Sequence, residues 1–191
     1  MFGEICYLGL YIVSAKNFKI NMQNRKQKFF RALNAIFGKI GTSASPSVVI
    51  SLVESYCVPV LLYGLDCVEL PKSMLQSLEN AYSQLYSKLF HTFNKNIIMQ
   101  CQFYSGQMPV ELKIANRRFN FLKKVSLMDN TYCKYFDLKN NELVLLISKY
   151  FYANDGQSIN SVLDNIRLQN FNWNTVLQNY FERSLGQLVG L

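Results

Sequence analysis

Residues 45–66, SPSVVISLVESYCVPVLLYGLD, constrain the fold more than any other stretch because they are apolar on most sides when drawn as a helix. A helix without a continuous polar face has to be buried, so residues 46–65 are predicted to form the central helix of a bundle. Ser45–Pro46 is a typical helix start, and Gly64 is a typical end. Pro59 removes one backbone hydrogen bond, which predicts a kink or break near Ser55–Tyr56.

Two amphipathic segments flank this helix, at residues 24–40 and 72–93. In the first, the apolar residues fall in one sector of about 120°, and lysines and an arginine fall roughly opposite. In the second, apolar residues alternate at spacings of three and four, which lays a seam along one side. The sector comprises Phe29, Phe30, Leu33, Ile36, Phe37 and Ile40, and the seam comprises Leu75, Leu78, Tyr82, Leu85, Leu89 and Phe93. A three-helix bundle over residues 23–93 is therefore predicted.

The amino-terminal residues 1–22 favour strands. Ile5–Val13 and Phe18–Met22 are rich in β-branched and aromatic residues, and the polar Ser14–Asn17 between them predicts a β-hairpin with a four-residue loop. Two strands alone are marginally stable in water, so one apolar side of the hairpin is expected either to dock on the helices or to remain exposed.

The carboxy-terminal part, residues 94–191, is predicted to be a second helical region. Residues 94–108 resemble a short connector, and Pro109 begins a helix that extends to about Met128. Three further amphipathic helices are predicted, at Asn141–Tyr152, Ser158–Arg167 and Trp173–Leu185. The fold class is therefore mainly α, with a short amino-terminal β-hairpin, a three-helix bundle and a second helical region.

The net charge of +8 is concentrated in two segments. Residues 1–50 hold seven Lys and Arg against Glu4 alone, and residues 101–150 hold eight against four acids. This asymmetry suggests a polyanionic partner, with nucleic acid before an anionic membrane, although a lysine-rich solvated surface would give the same composition. Because no run approaches the 18 or more apolar residues of a spanning helix, no transmembrane segment is expected.

The residues that usually carry chemistry are sparse. Five cysteines are widely spaced without a CxxC pair, and His91 is the only histidine, which argues against a zinc finger and favours reduced thiols in an intracellular protein. The motifs of nucleotide-binding loops, serine hydrolases and zinc proteases are absent, and the acids are scattered. A secretory leader over the first fifteen residues is disfavoured because Glu4 stands where a basic region belongs. The chain by itself is not expected to be an enzyme.

The order of several motifs resembles a known family. Tyr7-Leu8-Gly9, the segment FFRALNAIFGKIG, Pro59–Gly64 (PVLLYG) and CQFYSGQMPVELKI follow one another at suitable separations. This set resembles the carboxy-terminal part of the reverse transcriptase of non-LTR (LINE-type) retrotransposons. The resemblance covers about residues 5–125 and does not extend to residues 130–191.

The resemblance implies an RNA-directed DNA polymerase with fingers, palm and thumb. The family's palm holds aspartates that bind two divalent metal ions, and these would lie upstream of the YLG motif, so no cofactor is expected in this chain. Tyr7, Leu8 and Gly9 would correspond to the primer grip, at the edge of a missing palm, and residues 23–93 to the thumb. The implied partners are an RNA/DNA hybrid or other nucleic acid and other retroelement-encoded segments, without a membrane, in the nucleus or cytoplasm.

The charge pattern and the family resemblance indicate the same candidate site. A thumb needs one apolar face to hold its bundle and one cationic face to follow phosphates without reading bases. The expected phosphate contacts are Arg25, Lys26, Lys28, Arg31 and Lys39, with a weaker second site at Arg117, Arg118, Lys123 and Lys124. The alternative is a helical protein-interaction scaffold without nucleic-acid binding.

Overall fold

The computed structural model describes residues 3–16, 19–40, 44–66, 68, 70–127, 178 and 180. Within these residues the chain forms an antiparallel sheet followed by helices, which confirms the predicted class. The strands are β1 (Glu4–Tyr7), β2 (Leu10–Val13) and β3 (Lys19–Ile20). The helices are α1 (Gln23–Ile40), α2 (Pro46–Tyr56), α3 (Val58–Leu62), α4 (Lys72–Phe90), α5 (Lys95–Tyr104) and α6 (Val110–Leu127).

The central apolar segment is broken where its proline predicts. It forms α2 and α3 with the fully buried Cys57 between them, because Pro59 has no N–H to continue the hydrogen-bond ladder. The Cys57 N–H still donates to the carbonyl of Val53 at 2.9 Å, and the Cys57 carbonyl accepts from the N–H of Leu61 at 3.1 Å. Gly64 then adopts a left-handed conformation with φ of 65° and ends the segment as predicted.

The described core of the first 105 residues lies among α1, α2, α3 and α4. Helix α1 packs on the other three, α2 packs on α3 and α4, and α5 packs on α4. Completely buried side chains come from all four helices of this core: Phe29, Leu33, Val53, Leu61, Leu78, Tyr82 and Leu85. The apolar sector of α1 and the middle of the α4 seam therefore have the roles predicted for them.

The carboxyl end of α4 differs from the prediction. His91 takes a left-handed conformation with φ of 51°, and Asn94 caps the next helix by accepting a hydrogen bond from the Asn96 N–H at 2.9 Å. Phe93 therefore lies outside the seam and is 87% exposed. The prediction of a simple connector over residues 94–108 is wrong, because α5 occupies most of it.

The amino-terminal sheet has three strands in the order β1-β2-β3 instead of a single hairpin. The predicted strand Ile5–Val13 is itself a hairpin, turning at Leu8 and Gly9 with φ values of 47° and 78°. Two central residues with positive φ form the tight turn that best matches strand twist, and glycine permits it. The prediction of a single strand is therefore wrong, while the polar residues after Val13 do separate β2 from β3.

The chain divides into two compact units, Met1–Ser105 and Gly106–Leu191. In the second unit, α6 begins directly after Pro109 as predicted, and the Pro109 carbonyl accepts from the Lys113 N–H at 2.9 Å. The helices predicted beyond residue 140 lie outside the described residues, apart from Gln178 and Tyr180, which are helical.

Candidate nucleic-acid interface

Helix α1 carries five cationic residues and no acidic residue. At 100° per residue, Lys28, Arg31 and Lys39 fall within about 80° of one another. All three side chains are exposed, and none has a hydrogen-bond or ion-pair partner among the residues that the structure describes. One face of α1 is therefore a row of uncompensated positive charge.

Arg25 is predicted from the sequence to belong to this row, but its side chain is only 4% exposed. It precedes the buried Phe29 and Leu33 by one and two turns, and this i, i+4, i+8 line faces the core. One guanidinium nitrogen donates to the carbonyl of Tyr63, and the group lies 5.8 Å from the centre of the Tyr63 ring. Burial lowers the pKa of Arg25, and Tyr63 partly counters this effect. Arg25 has too little exposed surface to contact a phosphate.

Lys26 points to a different side of α1 from Lys28. Its Nζ donates to the hydroxyl of Ser77 on α4 at 3.0 Å, and the residue is half-buried. Lys26 and Lys28 are two positions apart and therefore lie about 160° from each other around the helix, so they cannot share a phosphate row. Lys26 therefore helps to hold α1 against α4.

Lys88 of α4 extends the exposed row and is missed by the sequence prediction. Its ammonium donates to the Asn34 side chain of α1 and lies 5.9 Å from the centre of the Phe37 ring. Asn34 is three residues after Arg31, so Lys88 borders the exposed face of α1. Both contacts are with uncharged groups and leave its positive charge in place. We name Lys28, Arg31, Lys39 and Lys88 the α1 strip.

The α1 strip is long and shallow. Lys28 and Lys39 are eleven residues apart, which corresponds to about 16 Å along the helix axis. The exposed residues between them include Ala35 and Gly38, which are too small to rise between the cations. A surface of this shape allows a polyanionic backbone to approach several charges together, and it offers little that could read bases.

The second predicted basic site, on α6, is arranged differently. Arg117 and Arg118 are half-buried and both interact with other groups of the chain. Lys124 is exposed, whereas the side chain of Lys123 lies outside the described residues. Nothing comparable to the exposed row of α1 is therefore established for the described part of α6.

Tyr7, Leu8 and Gly9 form the tip of the β1–β2 hairpin instead of the middle of a strand. A methyl group at Gly9 would lie 3.6 Å from Cε1 of Tyr63. A methyl group at Gly64 would lie only 3.1 Å from Cδ2 of Leu10. Two short motifs of the resemblance, YLG and PVLLYG, therefore meet in the fold although 49 residues lie between them.

A chain of hydroxyl groups lies inside the helical part of the fold. Tyr82 donates to Glu54, the hydroxyls of Tyr82 and Tyr86 are 3.4 Å apart, and Tyr86 is 3.3 Å from the Ser105 hydroxyl. The Ser105 hydroxyl donates to the Gln102 carbonyl at 2.9 Å. Burial raises the pKa of Tyr82 well above its usual value and also raises that of Tyr86. These groups join α2, α4 and α5, and the two tyrosines among them are completely buried.

Within the described ranges, no group of three or more His, Cys, Asp and Glu side chains could hold a metal ion. None of the described helices is both long enough and apolar enough to span a membrane. Comparisons of the chain with protein-family models, with curated proteins and with solved structures found no match.

Proposed function

We propose that the α1 strip binds the sugar–phosphate backbone of nucleic acid without sequence preference. The observation that carries this proposal is the exposed row of Lys28, Arg31 and Lys39 on a helix that has no acidic residue. Exposed cations that are not neutralised by neighbours retain their counterion-release contribution to polyanion binding. Lys88 adds a fourth charge from a second helix.

In its finer form, the proposal is that residues 5–125 are part of a retroelement reverse transcriptase, in which the thumb-like residues 23–93 hold a template–primer duplex. The ordered motifs support this, as does the contact between the YLG turn and the PVLLYG segment. Nucleotidyl transfer and its two metal ions would then belong to other retroelement-encoded segments. This chain would bind the duplex inside the cell and would not catalyse the reaction.

The test is a salt titration of binding to a short RNA/DNA hybrid and to B-form DNA, followed by fluorescence anisotropy. If all four cations of the α1 strip contact phosphates, log K against log salt should have a slope of about −3.6 on the B-form duplex. In the variant Lys28→Glu/Arg31→Glu, two contacts are lost, and binding should weaken by about 30-fold or more at physiological salt.

Lys72→Glu is the matched control, because Lys72 is also exposed but lies in the first turn of α4, sixteen residues before Lys88. It changes the net charge by the same amount as the single variant Lys28→Glu, but at a different place. Equal losses for Lys72→Glu and Lys28→Glu would show that only overall charge matters. A flat salt dependence of the unaltered chain would contradict the proposal itself.

The helical protein-interaction scaffold remains the second candidate, and one observation favours it. Phe93 is 87% exposed and Tyr104 is 83% exposed, at the two ends of α5. Large exposed aromatic side chains are frequent at protein interfaces. Protein binding that survives Lys28→Glu/Arg31→Glu, together with no shift of any nucleic acid, would favour this function.

A further inference from the structure

The exposure of the sheet is graded from one edge to the other. Ile5, Ile12 and Ile20 are direct cross-strand neighbours and therefore lie on the same face. Ile20 is 2% exposed, Ile12 is half-buried, and Ile5 is 70% exposed. The apolar face that is covered at β3 therefore continues uncovered to β1. Tyr7, on the same face as Ile5, is 61% exposed.

The register identifies which backbone groups of β1 point away from the sheet. The Ser14 N–H donates to the Gly3 carbonyl at 3.0 Å, so Gly3 directs its polar groups toward β2. Antiparallel pairs alternate between hydrogen-bonded and non-hydrogen-bonded positions, so Ile5 and Tyr7 do the same. Glu4 and Cys6 then direct their N–H and C=O groups outward, away from the described part of the sheet.

The edge carries little that would prevent pairing. Natural edge strands are protected by lysine, proline, bulges or a covering loop. Strand β1, with the sequence EICY, contains neither lysine nor proline, pairs with β2 without a bulge, and has every residue exposed. Glu4 is its only charge.

The outward groups are self-complementary in one register. If two β1 strands pair antiparallel about Ile5, Glu4 of each copy lies opposite Cys6 of the other. Both positions have outward polar groups, so each of these two pairs forms two hydrogen bonds, and about four bonds join the copies. The two Ile5 residues then face each other as a non-hydrogen-bonded pair, with Cα atoms about 4.5 Å apart.

Other symmetric registers are poorer. Pairing about Cys6 would place Glu4 opposite Leu8, which is in a left-handed turn with φ of 47° and cannot continue a ladder. Pairing about Glu4 would place two like charges directly opposite each other, which is destabilising. Pairing about Ile5 separates the charges, because each Glu4 opposes an uncharged Cys6.

We propose that β1 is a self-association edge at which two copies of this chain join their sheets antiparallel about Ile5. The two sheets then form one six-stranded sheet, in which Ile5 and Tyr7 of the two copies cover one another. Strands of four residues bury less than the area of about 1,200 Å² typical of stable complexes. The dimer is accordingly weak, and the fraction of chains that form it increases with protein concentration.

Cross-linking of the full chain tests the register. In a Cys6→Ser background, Ile5→Cys places two thiols across the two-fold axis, within the Cα separation that a disulfide requires. Tyr7→Cys is the matched control, since its two copies would be about 13 Å apart along the paired strands. We expect mild oxidation to give at least about fivefold more dimer from Ile5→Cys than from Tyr7→Cys.

Cys6→Ser alone gives the baseline from the other cysteines. Sedimentation of the unaltered chain and of Ile5→Lys is a second measurement, and only the former should dimerise at high concentration. Circular dichroism will confirm that each variant is folded. Equal cross-linking of Ile5→Cys and Tyr7→Cys would overturn the proposal. So would faster cross-linking of the unaltered chain through Cys6 than of Ile5→Cys through position 5. Capture of a different polypeptide by the cysteine at position 5 would also overturn it.

Discussion

The face of α1 that packs on the core (the inner face) and its exposed face (the outer face) are made from the same short sequence, yet they respond to different forces. Arg25 and Lys28 are three residues apart, but the first is 4% exposed and bound to Tyr63, whereas the second is exposed and unpartnered among the described residues. A residue's chemical type therefore does not determine its role; its position relative to Phe29 and Leu33 does. The inner face should respond to changes in packing, and the outer face to salt.

The largest expected difference between the faces comes from two adjacent residues. Phe29→Ala removes a completely buried ring and should lower the free energy of unfolding by about 3–5 kcal/mol, because it leaves a cavity. Lys28→Ala should change it by less than about 0.5 kcal/mol, since its side chain is exposed. Urea denaturation followed by circular dichroism measures both. Similar losses for the two variants would remove the distinction between the faces.

Arg25 provides a second comparison, between two cations of the same helix. Arg25→Met removes the hydrogen bond to the Tyr63 carbonyl and the contact with its ring, so it should cost about 1–2 kcal/mol of stability. Lys28→Met should leave stability unchanged and reduce the salt slope of binding by about 0.9. If Arg25→Met reduced the salt slope by the same amount without destabilising the fold, Arg25 would belong to the outer face.

The buried interior should also respond to high pH. The folded state raises the pKa of Tyr82 and Tyr86, so above pH of about 10 the unfolded chain loses protons that the folded chain retains. Stability is therefore full below this pH and falls as pH rises, by up to about 1.4 kcal/mol per pH unit for each tyrosine.

Denaturant titrations between neutral and alkaline pH will measure this loss. Tyr82→Phe should make it shallower, because one of the two titrating groups is gone. Tyr104→Phe is the control for the loss of a tyrosine hydroxyl, since Tyr104 is 83% exposed and lies outside the hydroxyl chain. An alkaline loss of stability that is unaffected by Tyr82→Phe would show that the hydroxyl chain is not its source.

The smallest expected effect lies on the outer face. Gly38 is an exposed position in α1 where an added methyl group would meet no neighbouring atom within 4 Å, so Gly38→Ala should stabilise the helix by about 0.5–1 kcal/mol. Gly64→Ala should have the opposite sign, since φ is 65° and the methyl group would approach Leu10. Thermal denaturation of the two variants distinguishes them. Destabilisation by Gly38→Ala would mean that the outer face is covered.

The sequence predicts the features that depend on local chemistry. The start of α1 is placed within one residue, and the break after Tyr56 follows from the missing N–H of Pro59. The α4 seam is correct until His91, whose left-handed conformation no apolar spacing announces. Helix α5 could have been recognised from Asn94 as a cap, but its apolar residues do not form a regular seam.

The candidate site is predictable only in part because it depends on which helices meet. The exposure of Lys28, Arg31 and Lys39 follows from the period of α1. The burial of Arg25 depends on Tyr63, and the addition of Lys88 depends on the packing of α4 beside Asn34. Such long-range contacts are not encoded in local periodicity. The tight turn at Gly9 is not predicted because this glycine lies within an apolar run that is typical of one continuous strand, although its conformation lets the chain reverse direction.

The lack of acidic residues in α1 has a consequence for the stability of the whole fold. Its five cations repel one another without any i, i+4 ion pair, and Arg25 and Lys26 stand near the positive end of the helix dipole. The isolated segment should therefore be a poor helix, and folding must work against this repulsion. Any bound polyanion that relieves it favours the folded chain by mass action, so the melting temperature becomes a readout of ligand binding.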